Sequence, residues 1–593
     1  MLDRTTKLRW RRRFRLSYRQ VEDMGVNAEN GLEKYFFKRF ARLVAVRRFA
    51  FSWLVLVCLL IAGSVTQIRG LSQHYQTLAP APGGTFSEGM VGTFTNANPL
   101  YAVSTADASV SRLIFSGLLK YDQHNQLAGD LAAKLESDER AIRYVVTLKD
   151  DLKWQDGYPL TSADVVYTYQ TIQNADARSP LFSGWQGVKL EAPDAKTVVF
   201  TLPSPLSSFP HSLTNGIVPK HLLGEVEPAQ LRTAHFNSSN PVGSGPFKWE
   251  VIEVAGANQE EREERIGLVP NPNYYGVIPK LDRFIIRTFR SEEKLLHAYR
   301  NNELNAMAGL PNTPDDLTQS AHALEYTAPL TGEVMVFFRN TTEPFNDVKV
   351  RQALVQAVDV SAVAQELGYP VIVAKSPLLT ADLGYDKTLT QLPTDVANAN
   401  MLLDAAGWMP GQDGIRSKNG KPLTFMLSAQ SASDRAAITQ ALQKAWRAIG
   451  VDTQVSLESD ADIQGVVSRH DYDALLYGIS MGTDPDVFAY WHSSQIDPRT
   501  SAGLNLSEYK STIVDRSLEA GRTRSDPATR AAKYRPFLEA WRADAPALAL
   551  YQPRFLYVSQ GEIFNFAPES LNTTTDRFAN IENWMIRQQK VSR

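Results

Sequence analysis

Cysteine is almost missing from this chain: 593 residues hold one, Cys58. Cys58 lies inside an apolar run, so no internal disulfide can brace the remainder, and stability must come from large packed cores. The nine histidines are scattered, with no H-x-x-x-H pair and no cysteine beside them. That excludes a zinc-type ligand set, and His211, His221 and His235 read as surface or capping residues. A phosphate-cradling loop is missing too: Gly414…Gly420-Lys421 has the wrong spacing and runs into Pro422. Any ATP hydrolysis belongs to another protein, and no cofactor or metal is expected. Short repeats and low-complexity tracts are also absent.

What is present begins with a hydrophobic run. Residues 49–68, FAFSWLVLVCLLIAGSVTQI, carry no charge over 20 positions, long enough to cross a bilayer as a helix. Lys and Arg crowd its N-terminal side: Arg11, Arg12, Arg13, Arg15 and Arg19, then Lys38, Arg39, Arg42, Arg47 and Arg48. The positive-inside bias places residues 1–48 in the cytoplasm and everything after about residue 70 outside. A cleaved signal peptide starts nearer the beginning of a chain, and a core helix is rarely apolar all round. The expectation is an uncleaved signal anchor, single-pass in the cell membrane. Val57 stands where lipid attachment to Cys58 needs a small residue, so Cys58 reads as apolar filler.

Charge divides at the same place. Residues 1–48 hold 14 Lys and Arg against 5 Asp and Glu, a net +9; the chain total of −2 then leaves −11 for residues 69–593. Anionic lipid at the inner leaflet accounts for the basic segment. No nucleic-acid partner is expected, because no aromatic or recognition-helix pattern accompanies the arginines and the main body is acidic.

So long a chain exceeds one core, and two or more lobes are expected. Residues 69–84, ending in APAPGG, read as a spacer. Strands are expected at 85–94, 143–148, 197–202, 281–289, 334–338, 452–457, 474–477 and in the LALYQ segment. Helical spacing marks 108–119, 397–406, 436–449 (ended by Gly450) and 534–542. Thr161-x-x-Asp164 is a capping box, and Asn346 is expected to cap a helix with Val350, Leu354, Ala357 and Val358 on its inner face. Strands alternating with helices make the class α/β.

Gly478-x-Ser480-x-Gly482 matches the nucleophile elbow of serine hydrolases and follows an apolar strand. The elbow needs a helix at once, and Pro485 falls in what would be its first turns. Coincidence is the better account. The chain is expected not to be an enzyme, with no catalytic residue.

Several blocks recur in a fixed order: GGTFSEGMVGTFTNANPL, IFSGLLKYD, WQDGYPLTSADVVYTY, PVGSGPFKW and NPNYYGVIPKLDRFIIRTF. FRNTTEPFNDVKVRQALVQAVD, MLLDAAGW, KPLTFML, LYGISMGTDPDVF and DAPALALY follow them. In this order the chain resembles the extracellular solute-binding proteins that feed peptide and nickel ABC importers. The resemblance runs from about residue 83 to beyond 557. It implies a two-lobed, periplasmic-binding-protein-like fold. Lobe I would comprise 85–288 plus 546–593 and lobe II 289–545, hinged at two crossovers and closing on a solute. It also implies a monomer that takes up a peptide, or a similarly extended solute, and delivers it to ABC permease subunits. Main-chain hydrogen bonds would hold the peptide while its side chains enter hydrated pockets.

The family's peptide binders place an Asp just before the DPD-like segment to pair with the ligand's α-amino group. Here Met481 or Gly482 falls there, and Ile479 replaces an aromatic. Asp484 is the available substitute, unless it only makes an Asp-Pro turn. A blocked peptide, an internal segment or another solute then becomes an alternative. The candidate ligand-binding residues are Asn96 and Asn98 in the first loop, with Tyr477, Ser480, Met481, Thr483, Asp484 and Phe488. Other readings are a ligand-sensing or cell-surface interaction module without transport, a nickel-chelate binder and, on the Ser480 motif, a serine hydrolase.

Overall fold

The structure is a computed structural model that describes residues 47–74, 76–258, 261–319, 323–498, 503–524, 526–566 and 568–592. Most of the basic segment falls outside these residues. Of the described residues, those of 47–79 with 588–592 form one unit and those of 80–587 another. In the first, a 28-residue helix spans Arg47–His74. Within it, Phe51–Gly70 is long and apolar enough to cross a membrane, and none of it is buried against protein. The expected spacer takes regular structure instead: the helix runs to His74, and the strand Gln76–Ala81 pairs with Arg587–Ser592.

The second unit is built on two large sheets. The first sheet has seven strands in the order 323–329, 554–560, 306–308, 85–91, 283–289, 263–270 and 247–255. Thr85–Val91 lies parallel to both Arg283–Phe289 and Ala306–Ala308. A four-stranded antiparallel sheet (132–137, 143–148, 197–201, 189–191) belongs to the same lobe and shares its core, which contains Phe86, Val146, Phe200, Phe284 and Trp584.

The second sheet has six strands in the order 372–373, 547–552, 332–338, 474–480, 424–430 and 452–458. Thr424–Gln430 is parallel to both Asp452–Glu458 and Ala474–Ser480. The helices Ser433–Arg447 and Asp460–Arg469 make the crossovers that parallel pairing requires. Gly332–Phe338 is buried along its whole length, and cores on both faces of the sheet explain why 334–338 is apolar without interruption. Val334, Val336 and Phe338 enter one core, Met335 and Phe337 the other; Leu548 and Leu550 part from Ala547 and Ala549 in the same way.

Sheet membership moves the lobe boundaries from those expected. Ala306–Ala308 and Ala323–Pro329 stay in the first sheet, as does Arg554–Gln560. The chain therefore changes sheet at 330–331 and at 553, rather than at 288–289 and 545–546. Both crossovers run side by side: the Leu330 amide donates to the Pro553 carbonyl at 2.9 Å, and Gln552 Nε2 to the Leu330 carbonyl at 2.8 Å.

Local signals held where a cap or turn fixed them. Thr161 and Asp164 form the capping box of Ser162–Gln173. The helix expected from Asn346 starts one residue later, because Asp347 accepts the Lys349 amide and caps Val348–Gln356. The helix expected at 108–119 is Thr105–Ile114, capped by Ser104. Its apolar spacing continues into Leu118 and Leu119, which belong to a turn and to the strand Leu119–Tyr121.

Candidate functional site

A cavity of about 520 Å³ in the second unit is walled by the first lobe. The helix Thr105–Ile114 brings Arg112 in its last turn, and the strand Leu119–Tyr121 brings Lys120 and Tyr121. The 3₁₀ turn Phe209–Thr214 brings His211, and the C-terminal return brings Asn572 and Asp576. The helix end that carries Arg112 is fixed by the PVGSGPF block. The Gly245 amide donates to the Ile114 carbonyl at 2.7 Å, and Gln155 Nε2 donates to the same oxygen at 3.1 Å. A Cβ on Gly243 would collide with that oxygen, and one on Gly245 would come within 2.7 Å of the Ile114 carbonyl carbon. Backbone approach this close admits only glycine.

Tyr121 and His211 stack at 27° and share a 2.7 Å hydrogen bond between Oη and Nδ1. Burial pushes the Tyr121 hydroxyl up to about 12 and lowers His211, so the imidazole is neutral at pH 7. Asp576 caps its own 3₁₀ turn, accepting the Thr573 amide at 2.7 Å. Burial raises its carboxyl, with Arg112 opposing.

The second lobe meets this wall through residues 480–486. Thr483 Oγ1 lies 3.4 Å from His211 Nδ1. The Thr331 carbonyl, on the crossover, accepts the Met481 amide at 2.8 Å, while Thr331 Oγ1 donates to Asn572 Oδ1 at 2.5 Å. A second bridge lies alongside. Ser208 Oγ of the first lobe donates to Asp486 Oδ2 at 2.9 Å, and the Ser207 amide donates to the Arg522 carbonyl at 3.0 Å.

Of the eight residues expected to touch ligand, Thr483 is the one that, among the described residues, reaches the cavity wall by a side-chain hydrogen bond from the opposite lobe. Asn96 and Asn98 are buried and serve their own loop: Asn96 Oδ1 accepts the Asn98 amide at 2.8 Å, and Asn98 Nδ2 donates to Asn237 Oδ1 at 3.0 Å. They shape the turn that delivers Pro99 and Ala102 to the wall. Asp484 is held by a two-pronged pair with Arg530 at 2.9 and 2.7 Å, which commits both its oxygens. Met481 packs in the second lobe's core. Tyr477 accepts Gln464 Nε2 at 3.2 Å, the Ser480 carbonyl accepts Tyr490 Oη at 2.5 Å, and Phe488 stacks on His492 at 4.0 Å. Arg112, Lys120, Tyr121, His211, Asn572 and Asp576 were not anticipated from sequence. They come from distant segments with no common spacing, and only the IFSGLLKYD block pointed toward two of them.

The model for "Bacterial extracellular solute-binding proteins, family 5 Middle" matches residues 126–498. The chain belongs to that family. This solute-binding protein is similar to Protein XP55 of Streptomyces lividans, 32% identical over 468 residues, covering 75% of this chain and 80% of that protein. It is similar to the oligopeptide-binding protein AppA of Bacillus subtilis, 27% identical over 512 residues, or 84% of this chain and 92% of AppA. The structure of Bacillus subtilis AppA with a nonapeptide matches with a TM-score of 0.71 at 26% identity, over 86% of this chain and all of that one (100%). NikZ from Campylobacter jejuni with Ni(L-His) matches at 0.72 and 26%, over 85% and 99%. The fold is thus the two-lobed α/β fold of periplasmic binding proteins, and the family is one that binds solutes for ABC importers, not one of enzymes. No helix starts at Ser480; the next begins at Phe488. The elbow-like motif is a coincidence of a glycine-containing loop.

Proposed function

We propose that this protein captures a peptide, or a similarly extended solute, between its lobes outside the cell and delivers it to an ABC permease. The single helix Phe51–Gly70 tethers a monomeric body to the membrane, with the N-terminus inside. The observation that carries the reading is the cavity of about 520 Å³ whose wall is touched by Thr483 of the opposite lobe. Its size lies within the roughly 300–1,000 Å³ of small-molecule sites. The adjacent crossovers at 330–331 and 553 form the hinge, and Ser208–Asp486 with Ser207–Arg522 latches the closed state. AppA with its nonapeptide supports a peptide. NikZ with Ni(L-His) supports a second reading, a metal chelate, at an equal level of similarity.

Calorimetric titration of the detergent-solubilised full chain tests both. A random nonapeptide pool is expected to release heat and, at about 100 times Kd, to stabilise the fold by about 2.7 kcal/mol. A response to nickel–histidine alone would select the second reading. Silence with peptides, amino acids and nickel–histidine would overturn solute capture.

A further inference from the structure

Charge in the site is distributed unevenly. The two carboxylates that the second lobe brings to the junction are both committed. Asp484 is gripped by Arg530 through two hydrogen bonds of 2.9 and 2.7 Å. Asp486 accepts Arg522 Nη2 at 3.1 Å and Ser208 Oγ at 2.9 Å. Each is paired with an arginine of its own lobe, so its charge is offset before any ammonium group arrives. The cations on the opposite wall share a single carboxylate between two. Arg112 and Lys120 both line the cavity, with side chains 18% and 21% exposed. Among the described residues neither side chain has a hydrogen-bond acceptor; the nearest carboxylate, Asp130, stands 3.8 Å from each. Asp130 is itself buried and already receives the Tyr275 hydroxyl.

A guanidinium carries five donors and an ammonium three, and these donors are left for whatever enters the cavity. Asp576, the other acid on the wall, turns Oδ2 to the Thr573 amide and hydroxyl at 2.7 and 3.1 Å. Burial also holds its carboxyl toward the neutral form. His211 is directed at Tyr121. The charge left over for a ligand is positive.

We infer that the cavity receives an anionic group of the solute, a carboxylate in the first instance, on Arg112 and Lys120, and that a free ammonium end is not the recognised feature. This rests on the solute-capture reading and names the chemistry of the same site. The planar fork of Arg112 suits two-oxygen recognition, with Lys120 as a point charge beside it. The acceptor for a ligand amine is replaced by the Arg530 and Arg522 pairs, so solutes with a blocked or distant amine are tolerated.

The test compares four probes on the full chain by calorimetry and thermal shift. They are a nonapeptide pool with free C-terminal carboxylates, the same pool amidated, the same pool N-acetylated, and succinate alone. The free-acid and N-acetylated pools are expected to bind alike, and the amidated pool at least about 10-fold more weakly, one charge-assisted contact being lost. Arg112→Lys and Lys120→Gln should each lower affinity for the free-acid pool by a similar factor and leave the amidated pool unaffected. That second readout separates lost recognition from a damaged fold. Equal binding of all pools, or a loss confined to the N-acetylated pool, overturns the inference while solute capture stands. If no pool binds but succinate shifts the melting of wild type and not of Arg112→Lys, the peptide reading falls and the anionic site stands. If succinate fails as well, both fall.

Discussion

Arg577→Met should break the first lobe at a definite point. Glu88 sits mid-strand in Thr85–Val91 with its side chain fully buried, and Arg577 Nη2 meets its Oε1 at 2.6 Å with equally complete burial. Tyr557 Oη donates to Glu88 Oε2 at 2.6 Å, Arg577 Nη2 also donates to Ser109 Oγ at 2.9 Å, and the guanidinium lies 4.0 Å from the Phe578 ring centre. Methionine keeps much of the packing but leaves one buried carboxylate with a single tyrosine donor. Removing one partner of a buried ion pair costs about 3–5 kcal/mol. At about 2–4 °C per kcal/mol, the melting point should fall by roughly 6–20 °C. Scanning calorimetry of the full chain measures this directly. Glu88→Leu combined with Arg577→Met removes both charges and should recover most of the loss, because a buried pair is worth little more than an apolar replacement. A fall under about 2 °C for the single variant, or a double variant no better than the single, would refute the reasoning.

Asp382 supplies a pH-dependent prediction. Burial pushes its carboxyl up to about 7, the Leu379 amide opposing and Asp484 assisting. The unfolded chain releases this proton near pH 4 and the folded chain keeps it to about 7, so Asp382 lowers stability as pH rises through that window. Asp382→Asn should therefore match wild type at pH 4 and exceed it by up to about 4 kcal/mol at pH 8 in urea unfolding; a constant difference would disprove the sign. Gly243→Ala should destabilise by at least about 1–3 kcal/mol, since the Ile114 carbonyl cannot move without unseating the end of its helix. Ser208→Ala removes a bridge between lobes and should weaken solute binding about fivefold with little change in melting; an unchanged Kd would exclude the latch.

Local chemistry was readable wherever it is local in sequence. The Thr161–Asp164 box, the helix at 436–449 and the strands at 452–457 and 474–477 needed no distant partner. The lobe boundary was not readable. Ala306–Ala308 is three residues long and gains strand identity from Tyr557–Ser559, some 250 positions away. The site was legible only as a neighbourhood. The 480–486 loop does reach the cavity, but its Asp484 had been spoken for by Arg530, 46 positions later, on a helix whose role at the junction no spacing reveals. Asn98 shows the same limit: a polar residue in a loop looks like a ligand contact until its partner Asn237 is known.

Hydrogen–deuterium exchange on the full chain, with and without the free-acid nonapeptide pool, bears most directly on solute capture between lobes. Slowed exchange is expected together at 112–121, 211–216 and 572–576 on one lobe and at 480–486 on the other, with the crossovers at 330–331 and 553 also changed. Binding that slows exchange on one lobe alone, or away from these segments, would contradict it.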